Sequence, residues 1–204
     1  FLWQAYLRQH RPRVIAVARP HVLANVGEPV TLDAGRSWAA SGPPQYQWTL
    51  TDGRSANTEA LQMQYDQPGM YSEVLKVTDP AGHSAWDFAV VQVCDRDRPD
   101  ALPPAIHAAY HPTRGLRPGQ PITFAVRSFG IDPAEGVERW DFGDKSAAIE
   151  TQSDGNADVH APDGYAVVEH AYDHPGDYIV TVRRANRRGE TATARLHVPV
   201  SRGC

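Results

Sequence analysis

The sequence predicts an all-β chain folded as two tandem β-sandwiches behind a short helical lead-in. Three observations predict the sandwiches. First, Tyr46-Gln47-Trp48-Thr49-Leu50-Thr51-Asp52-Gly53 recurs as Glu138-Arg139-Trp140-Asp141-Phe142-Gly143-Asp144-Lys145, at an offset of 92 from Trp48 to Trp140. Second, apolar residues alternate with period two: Tyr178, Val180 and Val182 against Ile179, Thr181 and Arg183, and Leu196, Val198 and Val200 against His197 and Pro199. That is the signature of strands with one buried and one wet face. Third, turn residues break these runs every ten or so positions, and the 17 Pro and 16 Gly suit a turn-rich β protein.

Along the chain, Phe1, Leu2, Ala5 and Tyr6 form one stripe of a short helix over residues 1–13, read as the end of a preceding domain. Residues 14–94 form the first sandwich. Asp95-Arg96-Asp97-Arg98-Pro99-Asp100-Ala101-Leu102-Pro103-Pro104 is a charged, proline-stiffened linker that should hold the sandwiches in an extended line. Residues 105–204 form the second sandwich. Gly27-Glu28-Pro29-Val30-Thr31-Leu32 matches Gly119-Gln120-Pro121-Ile122-Thr123-Phe124 at the offset of 92. Tyr65-Asp66-Gln67-Pro68-Gly69-Met70-Tyr71 matches Tyr172-Asp173-His174-Pro175-Gly176-Asp177-Tyr178 at an offset of 107. The difference places an insertion of 15 residues in the second copy, near 145–166. Shared punctuation in one order is the mark of duplication.

The second copy resembles the PKD domain family. The resemblance rests on Trp140-Asp141-Phe142-Gly143-Asp144, on His170-Ala171-Tyr172, and on Pro175-Gly176-Asp177-Tyr178-Ile179-Val180-Thr181-Val182. It departs from the pattern at Lys145, where glycine is usual. The first copy is more degenerate: Thr49, Leu50 and Thr51 stand for Asp, Phe and Gly, and Met63 stands where His170 stands. The resemblance implies an immunoglobulin-like sandwich that serves as a non-catalytic accessory module of secreted or surface proteins, among them proteases and polysaccharide-degrading enzymes.

Trp48 and Trp140 then fall where such sandwiches bury a tryptophan. Tyr71 and Tyr178 fall at the tyrosine corner, whose hydroxyl bonds backbone upstream. The resemblance allows calcium as the one cofactor, with Asp141, Asp144, Asp173 and Asn186 as oxygen ligands if they converge at one loop end. Their loose spacing favours turn closure instead. Asp154-Gly155-Asn156-Ala157-Asp158 in the insertion is a weak calcium-loop echo without the closing glutamate. His160, His170 and His174 lack the spacing of a zinc site. No Ser or Cys has the context of a nucleophile.

A net charge of −4 argues against nucleic acid as a partner. The run Arg183, Arg184, Arg187 and Arg188 reads as a solvated strand end and hairpin. No apolar run approaches the ~20 residues of a membrane span. Cys94 and Cys204 flank the second sandwich at what should be opposite poles, so no disulfide is expected between them.

What core packing leaves unexplained is in the first copy. If Ala89, Val91 and Val93 face inward, Trp86 and Phe88 face outward, and Trp38 extends that surface. This reads as a docking patch for an adjacent domain of the parent chain or a surface protein; the alternative is a sugar-stacking platform for polysaccharide. Glu73 is placed inward opposite Val180 of the second copy, which calls for a partner at the sandwich rim or a bulge.

Overall fold

The computed structural model describes residues 11–161 and 163–202. The described residues hold strands, turns and irregular segments and no helix. The lead-in helix falls on residues 1–10, outside the described residues, and Arg11–Arg13 enter the first strand without helical structure. Cys204 also lies outside them. The strands of the first repeat are β1 Val14–Ile15, β2 Val22–Asn25, β3 Val30–Asp33, β4 Trp38–Ala39, β5 Gln45–Thr49, β6 Ser55–Ala56, β7 Ala60–Met63, β8 Gly69–Thr78 and β9 Ser84–Cys94. Those of the second are β10 Ala105–His111, β11 Ile122–Phe129, β12 Glu138–Asp141, β13 Ile149–Thr151, β14 Ala166–His170, β15 Gly176–Ala185 and β16 Thr191–Val200.

Compactness does not follow the repeat boundary. One unit holds Thr31–Met63 and Glu73–Ala89 with the described chain up to His21; the other holds Val22–Val30, Gln64–Ser72 and the chain from Val90 onward. In the first unit, β5 pairs antiparallel with β8, setting Trp48 against Leu75 and Tyr46 against Val77. Alternation sends Trp48, Leu75 and Val77 inward, where all three are fully buried, and turns Gln45, Gln47, Lys76 and Thr78 to the outer face. The Trp48 indole N–H donates to the Thr58 carbonyl at 3.1 Å.

The second unit is a sandwich of a three-stranded sheet, β10-β11-β14, and a sheet that runs β13-β12-β15-β16. Ile106, Ile122, Phe124 and Val126 from the first meet Trp140, Val180, Val182, Val198 and Val200 from the second in one core. Gly69 and Met70 join this unit, pairing in parallel with Thr191 and Ala192 of β16. A Cβ on Gly69 would stand 2.5 Å from the Thr191 carbonyl oxygen, so the approach requires glycine.

The residues that carry the family motif form one ring column. Trp140 stacks on Phe142 at 5.9 Å, Phe142 on His170 at 4.0 Å, His170 meets Tyr172 edge-on at 4.8 Å, and Tyr172 stacks on Tyr178 at 4.0 Å. Tyr178 donates its hydroxyl to the His174 carbonyl and Tyr71 to the Gln67 carbonyl, both at 2.8 Å and both four residues upstream. The duplication is visible in backbone bonds as well. Gly27 N–H donates to the Tyr65 carbonyl at 2.9 Å, and Gly119 N–H to the Tyr172 carbonyl at 2.8 Å.

One charged feature differs from the sequence expectation. Arg184 is not part of a solvated run: its side chain and that of Glu138 are both 0% exposed and meet at 2.7 Å. Arg183, Arg187 and Arg188 are exposed. Glu138 also accepts from Ser128 Oγ at 2.7 Å, Ser153 Oγ at 2.6 Å and Ser153 N–H at 2.9 Å. Arg184 donates onward to the carbonyls of Pro133 and Glu135 at 3.2 and 3.0 Å. The pair therefore ties the insertion and the loop before β12 to the sheet. Burial raises the Glu138 carboxyl, but donors from Ser153, Ser128 and Arg184 outweigh it and hold the group below its ordinary value. In the first unit Glu73 is fully buried and accepts from Thr51 N–H at 2.6 Å and Thr51 Oγ1 at 3.0 Å, so its partner lies in the turn after β5.

The hairpins after β8 and β15 are built alike. Asp79 accepts from His83 N–H through Oδ1 at 2.8 Å, and Asn186 accepts from Glu190 N–H at 3.1 Å. The Asp79 carboxyl is pushed down from 3.8 to about 2, burial raising it and the Ser41 hydroxyl and His83 more than offsetting that.

Arg184→Met should destabilise the chain by about 3–5 kcal/mol, because it strands the buried Glu138 charge. A midpoint shift in urea equivalent to under about 1 kcal/mol would contradict that role. Asp79 binds a proton less readily folded than unfolded, so its stabilisation is present above the unfolded value of 3.8 and is lost as pH falls toward about 2. Stability of Asp79→Asn, which copies Asn186, should therefore fall less steeply than wild type across that window in an acid titration followed by circular dichroism.

Candidate functional site

The outer face of the first unit carries the residues that core packing does not explain. Trp86 and Phe88 alternate with buried Ala89 on β9, and both are half-buried rather than fully exposed. The Lys76 ammonium lies 5.4 Å from the centre of the Trp86 ring. Lys76 also borders a hollow of about 630 Å³ lined with Gln45, Gln47, Asn57, Thr78 and the edge of Tyr46. Its polar lining follows from register, since Gln45 opposes Thr78 and Gln47 opposes Lys76 on the face away from Trp48. Amides, hydroxyls and an ammonium beside an indole can hold a polyhydroxylated chain, or rim a protein contact. Trp38, 50% exposed, stands on the separate β1–β4 ribbon opposite Ile15 and does not line this hollow.

The four oxygen ligands do not come together. Asp173 precedes β15 and Asn186 follows it, with ten strand residues between them, roughly 33 Å at about 3.3 Å each. Asn186 is spent on the hairpin, donating to Glu190 and accepting from Arg188 N–H. Asp141 Oδ1 accepts from Gly143 N–H at 2.9 Å, closing the turn. Asp144 takes Ser146 N–H at 3.0 Å on one oxygen and His170 Nε2 at 2.7 Å on the other. Among the described residues no group of three or more acidic, His or Cys donors is placed to hold a metal. In the insertion, Asp154 does not behave as a calcium-loop residue. Both its oxygens are held by the Arg127 guanidinium, at 2.9 and 2.6 Å.

Sequence reasoning missed the residues that do most to organise the second repeat, Glu138, Arg184, Arg127 and Asp154. The available signal was comparison between copies. Glu138 and Arg184 occupy the places of Tyr46 and Val77, a cross-strand pair in the first repeat.

Comparison with known proteins gives two family matches. Residues 10–93 and residues 107–200 each match the PKD domain. Among solved structures, dimeric latent PorU from Porphyromonas gingivalis is 9% identical over 96% of this chain and 21% of its own, with a TM-score of 0.35. The two tandem V-type regions of a v-region-containing chitin binding protein are 10% identical over 93% of this chain and 100% of theirs, at 0.42. A structure of carbohydrate-binding modules from the β-sandwich superfamily is 14% identical over 93% and 92%, at 0.36. The chain spans about a fifth of PorU.

Because Asp141, Asp144 and Asp154 are already engaged in turns and ion pairs, adding calcium at millimolar concentration should leave the thermal midpoint within about 1 °C of the chelated protein. A rise of several degrees would restore calcium as a ligand.

Proposed function

We propose that this chain, which belongs to the PKD domain family in both of its repeats, is a spacer and interaction module of a larger exported protein. PKD domains are non-catalytic immunoglobulin-like modules, and no catalytic family matches here. The observation that carries the reading is where the polar residues are spent. The Asp, His and Tyr side chains of the motif bond one another or nearby backbone, and every buried side-chain polar atom among the described residues has a partner. Such a module acts through surface and geometry, holding a neighbouring domain of its parent chain near a polysaccharide or a surface protein and raising the effective concentration of that target. No helix among the described residues is long and apolar enough to cross a membrane. The natural setting for such a module is outside the cell or at its surface, on an enzyme that degrades polysaccharide or protein.

A second reading is favoured by the polar hollow beside Trp86: a carbohydrate-binding face in which Trp86 and Phe88 take sugar rings and Gln45, Gln47 and Thr78 take hydroxyls. Two experiments separate the readings. Deleting residues 14–200 from the parent protein should slow its action on insoluble substrate by several-fold and leave a small soluble substrate untouched. Equal loss on both, or no loss on either, would sink the accessory role. Retention of the chain on insoluble polysaccharide, abolished by Trp86→Ala with the fold intact, would promote the carbohydrate face. An absence of retention across a panel would leave the spacer.

A further inference from the structure

The outer face of the second repeat holds a feature that neither the fold nor the accessory role uses. Arg139 and Arg183 oppose each other directly across β12 and β15, and the next outward pair is Asp141 and Thr181. Like charges set opposite on a sheet face repel. On its other side Arg139 faces Glu150 of β13, 3.7 Å away, in a pair exposed on both members. Lys145 joins them from the turn after β12, and a hollow of about 320 Å³ lies between Arg139, Lys145, Ser146, Thr181, Arg183 and Asp141. Lys145 has φ of 69°, the left-handed region that favours glycine. Neither the Lys145 ammonium nor the Arg183 guanidinium has a hydrogen-bond or ion-pair partner among the described residues.

The first repeat supplies an internal control. At the equivalent positions it carries Gln47 for Arg139, Gly53 for Lys145 and Lys76 for Arg183. Gly53 has the same backbone conformation, with φ of 88°. The second copy has thus placed two further cations on the same face, one of them in a glycine-favouring backbone position, in a chain whose net charge is −4. Neither substitution serves the core, because all these side chains point away from Trp140.

We propose that this hollow binds the acidic groups of an anionic polysaccharide, the carboxylates of uronic acids or sulfate esters. Two guanidinium forks and an ammonium suit an oxyanion. The Asp141 carboxylate and the Thr181 and Ser146 hydroxyls on the same rim suit the hydroxyls of the sugar that carries it. That carboxylate, with the acidic whole chain, disfavours the unbroken charge of a nucleic acid. The site rests on the reading of the chain as an extracellular module, but it is separate from the Trp86 face, and each can fail without the other.

The test is affinity electrophoresis of the full 204-residue chain through gels containing polygalacturonate, dextran sulfate or neutral dextran. Retardation should occur in one or both anionic gels, be absent in neutral dextran, and weaken as salt rises. Which anionic gel retards identifies the acidic group. Lys145→Gly, which restores the residue the backbone prefers, and Arg183→Gln should each weaken binding by about tenfold, as expected for loss of a charged hydrogen bond. Trp86→Ala should leave it unchanged. Lack of retardation in either anionic gel would overturn the proposal, as would full retention in the Lys145→Gly/Arg183→Gln double variant or equal binding to duplex DNA. Failure of the parent-protein deletion test, by contrast, would leave this result standing.

Discussion

Arg184 and Glu138 meet in a place from which water is excluded on both sides, and the second repeat is arranged around that contact. Two charges taken out of water cost several kcal/mol each, and their mutual attraction offsets this only when the remaining donors and acceptors are also filled. Here they are filled from three directions: by serine hydroxyls on β11 and in the insertion, by the Ser153 backbone N–H, and by carbonyls of the loop before β12. The insertion is thereby fixed by chemistry that a purely apolar core could not provide. The same contact sets what faces outward. With Glu138 and Arg184 opposite each other and pointing in, alternation puts Arg139 and Arg183 opposite each other and pointing out. The buried pair and the exposed basic hollow are two faces of one register.

The aromatic column explains why the family motif has its spacing. Trp140, Phe142, His170, Tyr172 and Tyr178 come from a strand, its turn, the end of β14, the turn after it and the start of β15, and they form one continuous run of ring contacts. The first repeat keeps only the lower end. Tyr65 and Tyr71 lie 4.3 Å apart, as Tyr172 and Tyr178 do at 4.0 Å. At the positions of Phe142 and His170 the first repeat has Leu50 and Met63, and both are buried. Aliphatic side chains of similar bulk fill such a site without the ring geometry, so the sandwich survives a motif that has become hard to recognise.

Much of this was legible in the sequence because it is local. Period-two alternation, Pro-Gly turns and a constant offset need no knowledge of what lies across the core, and they place Trp48, Trp140, Tyr71 and Tyr178 at equal depth in each copy. Arg184 was not legible because the stretch 183–188 also contains three exposed arginines, and only the residue opposite, on a strand 46 positions away, distinguishes it. Asp173 and Asn186 were misleading for a related reason. Nearness in sequence says nothing of the pole at which a residue emerges, and a ten-residue strand separates them. Alternation assigns Trp86 and Phe88 a common face, but the half-burial of both depends on their surroundings, such as Lys76 over the Trp86 ring, that only the fold supplies.

Glu73 and the eroded first motif are one event seen twice. In the second repeat Gly143 sits at φ of 77°, where a Cβ would stand 2.7 Å from the Ile179 carbonyl oxygen, so the turn after Trp140 can close only with glycine. The first repeat has Thr51 at that position, and a β-branched residue cannot follow the same path. The turn must then find its hydrogen bonds elsewhere, and Glu73 provides them by accepting from both the backbone N–H and the hydroxyl of Thr51. Val180 occupies the matching position in the second repeat, where the glycine turn needs no such acceptor. A buried carboxylate that looks anomalous within one copy is thus the expected companion of a lost glycine once the two copies are compared.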